Sequence, residues 1–160
     1  MPTLAINKRA RFDYDISETY EAGISLLGYE VKSVKNGHVS LRGAYVTARN
    51  TDGHPEIYLV GAHISLYPQA GKVENYSPLR ERKLLLKKKE INHLIGKRQE
   101  TGLTLVPLKI YTKHSFIKLE LGVGRGRQKA DKRAVIKKRE VERQISSLKK
   151  RNTGDARHRQ

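Results

Sequence analysis

Residues 16–26, ISETYEAGISL, alternate strictly. Ile16, Glu18, Tyr20, Ala22, Ile24 and Leu26 fall on one side, and Ser17, Thr19, Glu21, Gly23 and Ser25 on the other. Apart from Glu18 the first side is apolar, and a period of two predicts a half-buried strand. Residues 28–37, GYEVKSVKNG, change the period: Val31 and Val34 stand three apart and Asn-Gly closes the run. That pattern predicts a short helix with a glycine stop. Strands follow over 39–48 and 56–65, separated by the turn residues NTDG at 50–53. Pro68 and Pro78 bracket a loop.

Residues 80–100 read as the one longer helix, ended by Gly102, with Leu84, Ile91, Leu94 and Ile95 as its core stripe. Leu85 and Leu86 lie off that stripe. They are either a second hydrophobic contact inside the fold or an exposed apolar knob that meets a partner, such as an unstacked base. Strands over 104–111 and 115–123, joined across 112–114, complete the body. Six or so short strands with two helices predict a mainly β fold, a small closed antiparallel barrel of the oligonucleotide-binding kind.

After Val123 the pattern thins. Val141, Ile145 and Leu148 form one narrow helical stripe, with Ala134 seven residues before Val141. A stripe that narrow does not bury the segment against its own domain. Residues 124–160 are therefore expected to be disordered when free and helical from about 130 to 150 on a partner. The body is assigned to residues 1–123.

Charge sharpens this division. The 160 residues carry a formal net charge of +17. Residues 124–160 hold fourteen Lys/Arg against four Asp/Glu, a net of +10, and residues 1–123 hold nineteen against twelve, a net of +7. Such a field gathers polyanions, and nucleic acid releases counterions when it is neutralised. Anionic lipid is the competing partner, but stable anchoring adds an apolar wedge or a lipid. The chain has no long apolar run, no Trp and no signal-like apolar stretch at its start. Cysteine is absent, which excludes disulfides, thiolate nucleophiles and Cys-based metal sites. A cytoplasmic protein without membrane or cofactor is expected.

Catalytic signatures are missing. His38, His54, His63, His93, His114 and His158 form no i,i+4 pair, so no metal site is expected. GVGRG at 122–126 lacks the third glycine of a dinucleotide fingerprint, and no phosphate loop of the GxxxxGK type occurs. Glu18 and Glu21 point to opposite sides of their strand, the wrong arrangement for a carboxylate pair. RNA features are better represented. Asn7, Lys8, Arg9 and Arg11 form a basic arm leading into Phe12 and Tyr14, which combines phosphate contacts with stacking surfaces. Tyr20, Tyr29 and Tyr45 fit either such a surface or a core.

Three segments carry a resemblance: NKRARFDYDISETYEAGISLLGYEVKSVKNG at 7–37, RERKLLLKKKEINHLIG at 80–96 and DKRAVIKKRE at 131–140. In this order, over residues 4–150, the chain resembles the small protein B family of bacteria. The resemblance implies a closed barrel with two to three flanking helices, a disordered basic tail and no enzymatic activity. It also implies an adaptor of trans-translation, the rescue of stalled ribosomes. Such an adaptor binds the tRNA-like domain of transfer-messenger RNA and promotes its alanylation by alanyl-tRNA synthetase. It is delivered with elongation factor Tu, and its tail senses an empty mRNA channel in the small ribosomal subunit, next to the decoding centre.

Residue by residue, the family's RNA surface falls on Asn7, Tyr14, Glu21, Leu85, Lys118, Arg125 and Arg127. The arm residues Lys8, Arg9 and Arg11 and the ring of Tyr45 join them as RNA-binding candidates. The family's ribosome-contacting tail motif falls on Asp131, Lys132, Arg133, Lys137, Lys138 and Arg139. Glu21 is expected to accept hydrogen bonds from base or ribose donors, or to orient Asn7 or a neighbouring Arg. Two positions depart from the family. Ala130 stands where a ring commonly precedes DKR, and Phe12 replaces a frequent His.

Overall fold

The computed structural model describes residues 2–156. Met1 and residues 157–160, the outermost ends of the expected body and tail and the place of His158, lie outside the described residues. The chain forms two compact units, Met1–Gly126 and Arg127–Gln160.

The first unit runs β1 (Thr3–Ile6), α1 (Ala10–Asp13), β2 (Tyr14–Ile24), α2 (Gly28–Lys35), β3 (Val39–Ser40), β4 (Tyr45–Thr51), β5 (His54–Val60), β6 (His63–Ile64), β7 (Arg82–Leu85), α3 (Lys88–Gln99), β8 (Leu103–Lys113) and β9 (Phe116–Gly126). Seven strands make one antiparallel sheet in the order β1-β8-β9-β2-β7-β5-β4, while β3 and β6 pair separately. One face of the sheet carries the core, with Ala22, Ile57, Leu59, Leu84, Leu119 and Leu121 packed together with Val34 of α2 and Leu94 of α3.

The closed barrel expected from the sequence does not form. β1 and β4 are the two edges of the sheet, and no ladder joins them among the described residues. β1 has four residues and pairs with β8 alone, while the two-residue β3 pairs only with β6 in a separate ladder, so no strand bridges the edges. The strand expected over 39–48 breaks at a turn where the Ala44 amide bonds to the Leu41 carbonyl and Gly43 takes φ 74°. The β4–β5 hairpin closes as expected, with Thr51 opposite His54 and positive φ at Asp52 and Gly53.

A second correction concerns residues 80–100. Arg82–Leu85 is a strand, and the helix begins only at Lys88. In β7 burial alternates, with Arg82 and Leu84 inside and Lys83 and Leu85 outside. Leu84 thus reaches the core from a strand, not from a helical stripe. β7 fills the gap between β2 and β5, and ladder bonds to both neighbours outweigh the local helix preference of RKLLL.

The strand expected to end at Val123 continues through Gly126, which pairs with Tyr14. Its glycines have a packing role rather than a nucleotide-binding one. A Cβ on Gly122 would stand 2.8 Å from Ile16 Cγ2, and one on Gly124 2.8 Å from Ile16 Cδ1.

A buried ion network ties the 65–81 connection to α2. Glu30 and Arg82 are fully buried. Arg82 Nε donates to Glu30 at 2.8 Å, and its other nitrogens donate to the carbonyls of Ala62 and Pro78. Arg80 and the Tyr76 hydroxyl also donate to Glu30, as does the Leu27 amide that opens α2. Burial alone would raise the Glu30 carboxyl. The hydrogen bonds from Arg80, Leu27 and Arg82 overcome it and hold the group below its ordinary value of 4.5.

In the second unit α4 spans Lys129–Ala156, with Asp131 in its first turn and Asp131 Oδ2 accepting from the Gln128 amide at 3.4 Å. Ile136, Val141, Ile145 and Leu148 are exposed along it.

Candidate nucleic-acid interface

The face of the sheet opposite the core carries three of the expected RNA residues in one patch. Across four strands the ladder sets Tyr111 beside Lys118, Lys118 beside Gly23, and Gly23 beside Leu85. Glu21 stands on the same face of β2 as Gly23. Leu85 is 54% exposed, and Phe116 at the end of the patch is 69% exposed. Lys118 Nζ lies 5.9 Å from the Phe116 ring centroid. Of the two readings of Leu85, the exposed knob is the one the fold realises.

Glu21 does not orient Asn7. The Tyr111 hydroxyl donates to its carboxylate, and Lys113 Nζ lies 3.3 Å from both carboxylate oxygens. The hydrogen bond from Tyr111 holds the Glu21 carboxyl below its ordinary value, with Lys113 and Lys118 adding to the effect. Burial and the same bond push the Tyr111 hydroxyl up. The result is a fixed, ionised acceptor surrounded by lysines, with an apolar side chain next to it.

Asn7 serves the arm instead. Its side-chain amide donates to the Pro107 carbonyl at 2.9 Å and its backbone amide to Leu108 at 2.8 Å, which pins the arm to β8. Lys8, Arg9 and Arg11 are left exposed, with Arg9 3.6 Å from Asp13. A cleft of about 390 Å³ between this arm and residues 39–43 adds Arg42 to the basic corner. Tyr14 packs beside Ala10, Val106 and Leu108 at the start of β2. Arg125 pairs in the ladder with Asp15 and donates to the Thr101 carbonyl at 3.3 Å.

Tyr45 is 55% exposed at the start of the edge strand β4, two residues after Gly43, which lines the cleft beside the arm. Arg127, Asp131, Lys132, Arg133, Lys137, Lys138 and Arg139 belong to the second unit. No cluster of three or more His, Asp or Glu able to hold a metal occurs among the described residues. His93 instead meets Glu18 at 3.1 Å, where Lys97 and the Tyr20 hydroxyl also converge. No helix among the described residues is long and apolar enough to cross a membrane.

The family described as SmpB protein matches residues 4–151. The chain belongs to the SmpB family. A protein of Enterococcus faecalis called SsrA-binding protein is 47% identical over 149 residues, covering 93% of this chain and 94% of that one. A Chloroflexus aggregans protein of the same description is 52% identical over 148 residues, covering 92% and 91%. A solved structure described as "tmRNA-SmpB: a journey to the center of the bacterial ribosome" superposes with a TM-score of 0.61 at 49% identity, covering 78% of this chain and 84% of that one.

Tyr111, Lys113, Phe116 and Gly23 are members of the patch that sequence reading missed. The signal was present as spacing: Lys109, Tyr111 and Lys113 alternate in β8, as do Phe116, Lys118 and Glu120 in β9. Alternation assigns each set to one face, but only the ladder shows that the faces coincide.

Proposed function

We propose that the chain is the RNA-binding adaptor of trans-translation. It captures the tRNA-like domain of transfer-messenger RNA, the SsrA RNA, promotes its alanylation and accompanies it with elongation factor Tu into the A site of stalled ribosomes. The observation that carries this reading is the patch of Glu21, Leu85 and Lys118 on one sheet face of an SmpB-family chain with charge +17. Asn7 holds the arm, while Lys8, Arg9, Arg11, Arg125 and Arg127 neutralise phosphates and Tyr14 and Tyr45 offer rings. Asp131, Lys132, Arg133, Lys137, Lys138 and Arg139 face ribosomal RNA from the tail, whose helix α4 lies in the mRNA channel. The protein acts in the cytoplasm and catalyses nothing itself.

A competition titration at fixed, near-physiological salt tests this. Labelled tRNA-like domain is displaced by itself or by elongator tRNA. A preference of about a hundredfold, ~2.7 kcal/mol, is expected. Equal competition would reduce the protein to a general basic RNA binder. A steep salt slope alone does not separate the two, because both neutralise phosphates.

A further inference from the structure

Leu85 is flanked by two similar carboxylates, and the family resemblance accounts for only one. On one side Glu21 accepts from the Tyr111 hydroxyl and lies 3.3 Å from Lys113. On the other, Glu56 accepts from the Tyr58 hydroxyl and lies 3.0 Å from Lys83 Nζ. Glu56 precedes Ile57, the ladder partner of Leu84, so it stands on the strand next to Leu85. A cleft of about 500 Å³ opens between them, walled by Pro55, Glu56, Lys83, Leu85, Leu86 and Ile91. That is within the size range of small-ligand sites.

A carboxylate at this position repels phosphate, on a chain whose charge otherwise attracts it. The Lys83 side chain is 46% exposed and that of Glu56 19%, so the carboxylate is largely covered but keeps an open edge, and its one ion pair to a lysine at the rim contributes little stability. The bond from Tyr58 lowers the Glu56 carboxyl, with Lys83 acting in the same direction, and an ionised carboxylate only accepts hydrogen bonds. Beside it, Leu85 offers an apolar surface of the kind an unpaired base covers. Paired bases have already committed their Watson–Crick donors, so such a site favours an unpaired nucleotide.

We propose that Glu56, oriented by Tyr58 and Lys83, is a second RNA-reading carboxylate. It accepts a hydrogen bond from an amino group or a 2′-hydroxyl of an unpaired nucleotide packed on Leu85. This rests on the reading of the Leu85 face as the RNA surface.

The sign of one substitution tests it. If phosphates passed Glu56, Glu56→Gln would remove a repulsion and tighten binding of a tRNA-like-domain transcript. A donor-reading carboxylate loses an acceptor instead, and affinity should fall by roughly five- to tenfold. Tyr58→Phe keeps the charge and the ring, and it should weaken binding by about two- to threefold. Leu85→Asp is measured in parallel. If Leu85→Asp weakens binding while Glu56→Gln leaves it unchanged or tightens it, the role of Glu56 is overturned and the RNA face stands. If Leu85→Asp is also without effect, the reading of the face itself falls. Transcripts carrying 2′-deoxynucleotides or amino-lacking base analogues in the unpaired loops identify the donor. One of the two should abolish the difference between wild type and Glu56→Gln, and if neither does, donor reading is overturned.

Discussion

Leu85 lies over Gly23: a Cβ built on Gly23 would stand 3.2 Å from the Leu85 Cβ and 3.4 Å from its Cδ1. The two are ladder partners, and the missing side chain on β2 gives Leu85 its seat. Gly23→Val therefore displaces Leu85 without touching any charge. Binding of the tRNA-like domain should weaken severalfold while the salt slope stays unchanged, because no phosphate contact is lost. A titration at several salt concentrations checks both. An altered slope would mean that the displaced group is a phosphate contact.

Leu84 and Leu85 are adjacent in sequence and opposite in role. Leu84 is 1% exposed and packs in the core, so Leu84→Ala should cost about 2–5 kcal/mol in urea unfolding. Leu85→Asp should leave the urea midpoint close to wild type and weaken RNA capture by roughly tenfold or more. The reverse assignment would show up at once as a destabilised Leu85→Asp protein.

Removing the carboxylate of Glu30 strands Arg82 in the interior. Glu30→Ala should destabilise the first unit by about 3–5 kcal/mol, since the remaining charge is buried without a counter-charge. The wild type carries a pH signature of the same network. Glu30 sits below its ordinary value of 4.5 when folded, so its contribution is fully present above 4.5. That contribution is lost as pH falls from 4.5 through the lower folded value. Urea midpoints measured between pH 3 and 7 should fall on the acid side, and less steeply in Glu30→Gln.

Truncation should be made after Arg127, because a cut at Gly122 would remove the part of β9 that pairs with Tyr14 and Asp15, and a cut at Gly126 would remove Arg127 itself. The shortened protein is expected to keep its thermal melt and its affinity for the tRNA-like domain, while tagging in a reconstituted translation system disappears. Loss of capture would place RNA recognition in the second unit instead.

Much of this protein is determined locally, and those parts were legible in the sequence. Alternation over 16–26 marked β2, whose observed range is Tyr14–Ile24, because a half-exposed strand needs a period of two whatever surrounds it. The 28–37 helix and the 50–53 turn follow from backbone chemistry within ten residues. The basic excess after Val123 is a property of composition alone.

What required the tertiary structure is nonlocal. RKLLL has good helix formers, and only the presence of β2 and β5 on either side makes it a strand, a relationship spanning tens of residues. Barrel closure depended on whether the edge strands β1 and β4 could meet, which no single segment encodes. The proposed RNA surface belongs to the same class. Glu21, Leu85, Tyr111 and Lys118 lie on four different strands, and ladder register alone turns their side chains into one patch. Propensity and charge act over one turn or one Debye length along the chain, whereas a binding face is decided by which strands become neighbours.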